Sequence, residues 1–254
     1  MEAIGIIPAR FGSSRFPGKP LALINGKSMI ERVYCQASKA STLKKVIVAT
    51  DNQQILEHVF SFGGIAVMTS SEIKNGTERC MAAFTSFIKD NKNTDFDIIV
   101  NIQGDEPFIN PSEINTLVNC FQDDNVDIAT LIKDITSVED IFNPSIIKVV
   151  KDVNDYALYF SRSPLPYVRD YEQKEWLNKY KFLKHIGIYA YRKKILKVVT
   201  RLPVSALEIS ESLEQLRWLE NGYKIKTCFA CHESFSIDTP DDLKKVEKLF
   251  LKTE

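Results

Sequence analysis

Short apolar runs that alternate with amphipathic stretches constrain the fold of this chain more than any other feature. The runs cover residues 3–7, 46–49, 65–68 and 97–102, and almost no polar residue interrupts them. Apolar residues at helical spacing separate them, over residues 28–37, 55–60 and 78–88. Strands of this kind are buried on both faces, as in parallel sheets covered by helices. The first half therefore predicts a doubly wound α/β fold.

The second half of the chain is less regular. Strands are predicted over residues 128–132, 146–150 and 183–191, some of them long enough to pair antiparallel, and helices over 208–219 and 241–250. Residues 167–180 are polar and predict a mobile loop or irregular segment. No linker is evident. The sequence therefore predicts one domain over residues 1–254, with a nucleotide-binding half of about 1–125 and a mixed-sheet elaboration of about 126–254.

Composition and charge exclude several classes of partner. Lysine plus arginine equals aspartate plus glutamate at 33 each, so no overall field draws the protein to nucleic acid or to an anionic membrane. No apolar run approaches the roughly 20 residues of a membrane span, and the first residues do not resemble a signal peptide. We therefore expect a cytoplasmic protein whose charge-based binding is local.

The five cysteines are odd in number and lie among apolar residues, which predicts reduced thiols. Residues 228–232 read C-x-x-C-H, which is the spacing that attaches haem. Haem attachment normally requires export. A structural zinc site would need a second ligand pair. The same stretch has the β-branched and aromatic residues of a strand. We therefore expect neither haem nor zinc here.

The turn after the first strand reads IIPARFGSSRFPGKPL over residues 6–21. Its glycines and serines expose backbone amides to an anion, and Arg10, Arg15 and Lys19 add positive charge at the strand end where open α/β sheets bind ligands. The spacing matches neither the Walker motif nor the dinucleotide fingerprint. The alternatives are a phosphate cradle, which we favour, and a solvated basic loop.

Acidic residues at two other places suit a metal ion. Asp105 follows a predicted strand, where it could hold Mg²⁺ against phosphate oxygens or cap a turn. Asp241 and Asp242 are explained by capping of the last helix, whose first position is a proline. Asp238, just outside that helix, is not explained in this way, and its alternative is a surface carboxylate.

The remaining polar positions also have ordinary structural explanations. Asp51 and the residues around Gly76 could be helix caps. Arg162 could be an ion-pair partner, His185 a core histidine and Glu214 a solvated helix residue. His185 and Tyr189 lie four residues apart on a predicted strand, so their side chains share one face. Taken singly, these residues do not establish a ligand site.

Taken together, the motifs resemble the sugar nucleotidylyltransferases, and in particular the cytidylyltransferases that activate acidic sugars. The resemblance extends over nearly the entire chain, in the order PARFGSSRFPGKPL (8–21), VATD (48–51), NGTER (75–79), NIQGDEP (101–107), YALYFSR (156–162), KHIGIYAY (184–191), LEQLR (213–217) and DTPDDL (238–243). It implies a Rossmann-like nucleotide-diphospho-sugar transferase fold with an irregular elaboration for sugar binding and dimerisation.

The resemblance also implies roles for individual residues. Catalytic roles fall to Arg10, Lys19 and Asp105, and metal ligation to Asp105 and Asp238. The implied nucleotide-binding residues are Arg10, Ser13, Ser14, Arg15, Lys19, Thr50, Asp51, Gly76, Thr77, Arg79 and Gln103. The implied sugar-binding residues are Arg79, Gln103, Arg162, His185, Tyr189, Glu214 and Gln215.

The implied reaction transfers CMP from CTP to 3-deoxy-manno-octulosonate (Kdo), with Mg²⁺ as cofactor and a homodimer as the assembly. The 8-amino analogue of Kdo, or another acidic sugar such as sialic acid, stays open as substrate. A non-catalytic nucleotide-binding module also stays open, because fold alone does not fix function. A metal-dependent glycosyltransferase typically carries D-x-D, where this chain has Gln103-Gly104-Asp105. No residue is a convincing sole general base, and Asp105 is the nearest acceptor.

Overall fold

The computed structural model describes residues 1–12, 16–92, 94–233 and 235–250, the last four of these by backbone only. The chain divides into two compact units. The first contains Met1–Val118 and His232–Glu254, and the second contains Asn119–Cys231. The units differ from the two halves expected from the sequence, because the C-terminal segment returns to the first unit. The single domain over residues 1–254 stays a prediction.

The first unit begins with strands and helices in alternation. Its strands are β1 (Ala3–Ala9), β2 (Leu23–Ile24), β3 (Lys27–Ser28), β4 (Leu43–Thr50), β5 (Ala66–Met68) and β6 (Ile98–Asn101). Its helices before the second unit are α1 (Met29–Ala37), α2 (Gln53–Ser61), α3 (Gly76–Asp90) and α4 (Pro111–Asn119). A short 3₁₀ helix at Lys19–Leu21 follows the turn after β1.

The parallel sheet of the first unit follows from its apolar strands. β1 pairs in parallel with β4 on one side and with β6 on the other, and β5 pairs with the outer edge of β4. Ile4, Ile6 and Ile7 are fully buried, as strands covered on both faces require. The chain first extends outward from β1 to β5 and then places β6 on the other side of β1. The carboxyl ends of β1 and β6 therefore border the switch-point crevice where such sheets bind ligands.

Side-chain caps fix where the helices of this unit begin. The Ser28 hydroxyl accepts a hydrogen bond from the Glu31 amide, which confirms the predicted start of α1. The side chain of Asn52 caps α2, and that of Asn75 caps α3. Asp51 is therefore not the cap of α2, and another role is open to its carboxylate.

The second unit has a mixed sheet. Its strands are β7 (Ile128–Asp134), β8 (Lys148–Lys151), β9 (Ala157–Ser161), β10 (Leu183–Arg192) and β11 (Ile225–Phe229). Its helices are α5 (Val138–Phe142), α6 (Trp176–Lys179), α7 (Lys193–Val199), α8 (Ala206–Glu211) and α9 (Glu214–Glu220). β11 pairs in parallel with β7, whereas the pairs β7–β10, β10–β8 and β8–β9 are antiparallel. The prediction of an α/β fold with a mostly parallel mixed sheet is confirmed.

Two predicted elements of the second unit need correction. The helix predicted over 208–219 is two helices, because Ser212 adopts a left-handed conformation at φ 51° between α8 and α9. The polar segment 167–180 is not wholly irregular. It contains a short 3₁₀ helix at Gln173–Glu175 and then α6, and the buried ring of Trp176 stacks on Phe182 with centroids 5.9 Å apart.

The prediction of five reduced thiols is also wrong for one pair. Cys120 and Cys228 are joined by a disulfide bond. The first cysteine of the C-x-x-C-H stretch is therefore bonded to another cysteine of the second unit. The final helix, α10 (Pro240–Phe250), brings the chain back to the first unit. Within the described residues, no helix combines the length and apolarity needed to cross a membrane.

Candidate active site

One lysine and two aspartates from distant parts of the sequence meet in the first unit. The Lys19 ammonium nitrogen lies 2.7 Å from Oδ2 of Asp105 and 3.2 Å from Oδ1 of Asp238. The three side chains are only 14%, 25% and 37% exposed, respectively. The basic turn after β1, the tip of β6 and the segment before α10 therefore converge, as the sequence motifs suggest.

The turn that carries Lys19 has its own anchors. Gly18 adopts φ 70°, a conformation that favours glycine, and its amide donates to the Phe11 carbonyl oxygen. Phe16 packs against a buried cluster of Ile24, Met29, Ile237 and Val246. These contacts hold the start of the 3₁₀ helix beside the carboxylates. Arg10 is exposed at the end of β1, and Ser13, Ser14 and Arg15 lie outside the described residues.

Asp105 is held by close backbone packing. A Cβ atom at Gly104 would lie 2.7 Å from the Pro8 carbonyl oxygen, so only glycine lets this loop approach the end of β1. The Asp105 carbonyl oxygen accepts a hydrogen bond of 2.9 Å from the amide of Ile237, the residue before Asp238. Backbone contacts therefore bring the two carboxylates to the same place.

The acidic residues at the start of α10 make different contacts. The Thr239 hydroxyl donates to the carboxylate of Asp242 and accepts from the Asp242 amide. This hydrogen bond is the main reason that the pKa of Asp242 is lowered. Asp241 pairs with Lys244 on the surface. Capping thus accounts for Asp242, as predicted, and Asp238 faces Lys19 instead.

The two carboxylates suit a magnesium ion that shares its coordination with a substrate. Across the residues that the structure describes, no group of three or more histidine, cysteine, aspartate or glutamate side chains could hold a metal. Mg²⁺, however, is typically held by one or two carboxylates, with phosphate oxygens and water as its other ligands. Asp105 and Asp238 match that donor set.

Asp51 and Arg79 form a buried ion pair beside the crevice. The Arg79 side chain is fully buried, and its Nη2 lies 2.9 Å from Oδ2 of Asp51 and also donates to the Ile73 carbonyl oxygen. Its Nη1 donates to the Thr69 hydroxyl. Burial lowers the pKa of Arg79, and nearby Asp51 opposes that effect. These contacts position the loop between β5 and α3, while direct contact of Arg79 with nucleotide or sugar stays a prediction.

The other predicted nucleotide residues surround the same end of the sheet. Thr50 and Thr77 are almost completely buried, and Thr50 Oγ1 accepts from the Asn52 amide. Gly76 faces the side chain of Asn101, a residue that the sequence analysis did not single out. Asn101 is 3% exposed at the carboxyl end of β6, and its Oδ1 has no hydrogen-bond partner among the described residues. The position of Asn101 at the end of a predicted strand was the sequence signal that could have identified it as a candidate site residue.

In the second unit, Arg162 is tied to the junction of α8 and α9. Its guanidinium donates to the carbonyl oxygens of Glu211, Pro144 and Ser212, and its backbone amide donates to the Glu211 carboxylate. These bonds occupy much of its donor capacity, so the observed role is structural. A carboxylate-binding role for Arg162 stays a prediction.

Lys148, which the sequence analysis missed, supports the same region from within β8. Its side chain is fully buried, and its ammonium donates to the carbonyl oxygens of Asn143, Ile146 and Arg162. Burial lowers its pKa. A lysine inside the apolar run of residues 146–150 was the sequence signal for this role.

His185 and Tyr189 lie together on β10, as their spacing predicts. Their ring centroids are 5.2 Å apart, and His185 Nε2 is 2.9 Å from the Thr130 hydroxyl. Burial lowers the pKa of His185 to about 3, so its imidazole is neutral at physiological pH. Burial, with Glu214 nearby, raises the pKa of Tyr189 well above its usual value. Gln215, beside Glu214 in α9, is also buried.

Comparisons with known proteins identify the family of this chain. Residues 4–225 match the family model described as cytidylyltransferase. A 3-deoxy-manno-octulosonate cytidylyltransferase from Parabacteroides distasonis is 53% identical, with 96% of each chain covered. An 8-amino-3,8-dideoxy-manno-octulosonate cytidylyltransferase from Shewanella sp. W3-18-1 is 46% identical, with 98% of each chain covered. A solved CMP:2-keto-3-deoxy-manno-octonic acid synthetase complexed with CTP is 40% identical, with a TM-score of 0.88 and both chains covered completely.

The family match and these relatives, together with the sheet and its switch point, identify a nucleotidyltransferase. The chain belongs to the cytidylyltransferase family.

Proposed function

We propose that this enzyme transfers CMP from CTP to Kdo, releasing pyrophosphate and supplying CMP-Kdo for lipopolysaccharide assembly. The observation that carries the proposal is the Lys19–Asp105–Asp238 cluster at the switch-point crevice of the first unit. A cation beside two carboxylates at the end of a parallel sheet suits the binding of a triphosphate with its metal. The relatives named for Kdo support the sugar.

The proposed mechanism relies on positioning and charge. The anomeric hydroxyl of the sugar attacks the α-phosphorus, and the pyrophosphate leaves in line. Arg10 and Lys19 neutralise charge on the departing pyrophosphate, with Arg15 and the amides of the turn assisting. Asp105 and Asp238 would hold Mg²⁺, which when bound supplies positive charge and lowers the pKa of a hydroxyl that it contacts. Asp105 is the candidate acceptor for the proton of that hydroxyl.

Separate sets of residues are proposed to contact the nucleotide and the sugar. Thr50, Asp51, Gly76, Thr77 and Gln103 would surround the base and ribose at the strand ends of the first unit. His185 and Tyr189 would bind sugar hydroxyls, with Glu214 and Gln215 of α9 beside them. Because its pKa is about 3, His185 offers a neutral imidazole as a hydrogen-bond partner rather than a charge for the sugar carboxylate.

A homodimer and a cytoplasmic location complete the proposal. The family resemblance supports the dimer, and dependence on CTP suits the cytoplasm. Sedimentation equilibrium tests the assembly, since a dimer has twice the 28.9 kDa mass of the chain. A mass equal to one chain across the working concentration range would contradict the dimer without affecting the proposed reaction.

Pyrophosphate release from CTP and Kdo tests the reaction itself. The wild-type protein should release pyrophosphate only when both substrates are present, and mass spectrometry should detect CMP-Kdo. Asp105→Asn should lose orders of magnitude in turnover. Binding of CTP without release of pyrophosphate with any acidic sugar would favour the non-catalytic module instead.

Removal of divalent ions tests the cofactor. Treatment with a chelator should abolish turnover, and added Mg²⁺ should restore it. Activity that survives exhaustive chelation would contradict the metal requirement.

The 8-amino analogue of Kdo is the second candidate for the sugar, because a relative at 46% identity is named for it. A competition assay with CTP and equal concentrations of the two sugars compares their specificity constants directly. We expect Kdo to be preferred. Preference for the amino sugar would move the assignment to the second substrate and leave the chemistry unchanged.

A further inference from the structure

Lys19 occupies the space between the two carboxylates that we assign to the metal. Its ammonium nitrogen is at hydrogen-bond distance from one oxygen of each, at 2.7 Å and 3.2 Å. The two oxygens are therefore no farther apart than the sum of those distances, about 5.9 Å. A single Mg²⁺ ion bound to both would hold them within about 4.2 Å of each other, given its usual oxygen distances. One ammonium bridges this pair, and one Mg²⁺ could take its place where the two oxygens lie within the shorter distance.

The two cations exclude one another in this place. An ammonium that stays in contact with both oxygens would lie next to a divalent ion of the same sign, in a site that is only partly exposed. Lysine can leave, because its charge sits on a flexible four-carbon stem. The phosphates of a bound nucleotide give that charge a new partner. Movement of the ammonium to the phosphates would remove Lys19 from both carboxylates.

We propose that Lys19 blocks the cation site in the free enzyme and opens it when a nucleoside triphosphate draws its ammonium away. This inference rests on the proposed metal site and adds a second role for Lys19 beside its role toward pyrophosphate. The two ligands are then coupled: the nucleotide raises the affinity for the cation, and by linkage the cation raises the affinity for the nucleotide equally. The free enzyme binds a divalent cation weakly.

Binding of Mn²⁺ in the absence of nucleotide tests the proposal without any reading of activity. Electron paramagnetic resonance counts the free Mn²⁺ in titrations of the wild type and of Lys19→Met. The variant should bind Mn²⁺ at least tenfold more tightly, because its two carboxylates lack their ammonium partner. Lys27→Met is the matched control, since it removes an exposed lysine that pairs with Glu31, and it should bind as the wild type does.

Two further titrations locate the effect. Adding Asp105→Asn to Lys19→Met should abolish the gain, because one of the two ligands is then neutral. Adding CTP without sugar should tighten Mn²⁺ binding more in the wild type than in Lys19→Met, since only the wild type has an ammonium to move. Lys19→Gln repeats the test with a polar side chain, and thermal unfolding checks that each variant is folded.

The outcomes separate this inference from the proposed function. If the wild type already binds Mn²⁺ as tightly as the folded Lys19 variants, Lys19 does not block the site, and the inference is overturned while the metal-dependent reaction stands. If no variant binds Mn²⁺ without CTP and Asp105→Asn keeps full synthesis of CMP-Kdo, the carboxylate site itself is wrong. In that case the inference fails together with the proposed cofactor site.

Discussion

Three cations of the first unit differ in exposure, and this difference separates their roles. Arg10 is exposed at the end of β1, Lys19 is mostly covered between two carboxylates, and Arg79 is fully buried against Asp51. An exposed cation can reach an incoming phosphate at little cost to stability. A buried one mainly fixes the loops that its hydrogen bonds connect. The family motifs assign all three to substrate binding, and only the structure distinguishes them.

Replacement of Arg79 should therefore affect folding before it affects chemistry. Arg79→Gln leaves the Asp51 carboxylate without its partner in a buried place, which should cost about 3 kcal/mol in the free energy of unfolding. Urea unfolding measures that cost. Arg10→Gln, the control, should leave stability within about 0.5 kcal/mol of the wild type and lower kcat instead. Equal stability of the two variants would contradict the structural role of Arg79.

Two glycines beside the crevice should respond differently to a methyl group. Gly104→Ala places Cβ 2.7 Å from the Pro8 carbonyl oxygen, so the Asp105 loop must shift and both stability and turnover should fall. Among the described residues, the nearest neighbours of a Cβ at Gly76 lie 3.6 Å away, so Gly76→Ala should fold normally and weaken CTP binding if the nucleotide occupies that space. Thermal unfolding and CTP titration separate the two effects. Normal stability of Gly104→Ala would contradict the close approach.

At the scale of the helices and strands, the sequence predicted the elements that depend on residues close together in the chain. The apolar runs predicted β1, β4 and β6, and Ser28 predicted the start of α1, because strand burial and helix capping depend on residues close in sequence. The break between α8 and α9 depends on one left-handed residue, Ser212, within an otherwise continuous helical pattern. The anchoring of residues 167–180 depends on burial of Trp176 by partners distant in sequence, which periodicity does not report.

His185 in β10 should make the free energy of unfolding depend on pH. The pKa of His185 is about 3 when folded and about 6.5 when unfolded, so the unfolded chain binds the extra proton first. Its contribution to stability is complete above pH 6.5 and is lost progressively as the pH falls toward 3. Urea unfolding of the wild type and His185→Phe at pH 7 and pH 5 tests this.

The wild type should lose more stability than His185→Phe between those two pH values. The difference between their losses isolates the histidine from the carboxylates that both proteins share. Equal losses would mean that the pKa of His185 is not lowered in the folded state.

At the scale of the whole molecule, the sequence indicated candidate site residues, and the structure gave the contacts among them. The Lys19 turn, Asp105 and Asp238 were each predicted from strand ends and motifs. The contact of Asp238 with Lys19 was not predictable, because it depends on the return of the chain to the first unit after 113 residues, Asn119–Cys231, of the second. Lys148 and Asn101 were missed, since their roles arise from burial among partners that only the fold brings together.

The return segment should stabilise the first unit as well as carry Asp238. Ile237 is fully buried in the cluster with Ile24 and Met29, so Ile237→Ala should cost about 3 kcal/mol in the free energy of unfolding. Ile209→Ala removes the same atoms from a side chain that is 69% exposed and should cost less than about 0.5 kcal/mol. Urea unfolding compares the two. Similar costs would show that the segment contributes little to the core.

The discontinuous first unit has a consequence for synthesis on the ribosome. Translation completes residues 119–231 before it reaches the segment that carries Ile237, Asp238 and Val246. While residues 119–231 are being completed, the first unit therefore still lacks part of its interior and the carboxylate that pairs with Lys19. A polypeptide released early would lack Asp238, so the Lys19–Asp105–Asp238 cluster would be incomplete in an aborted product.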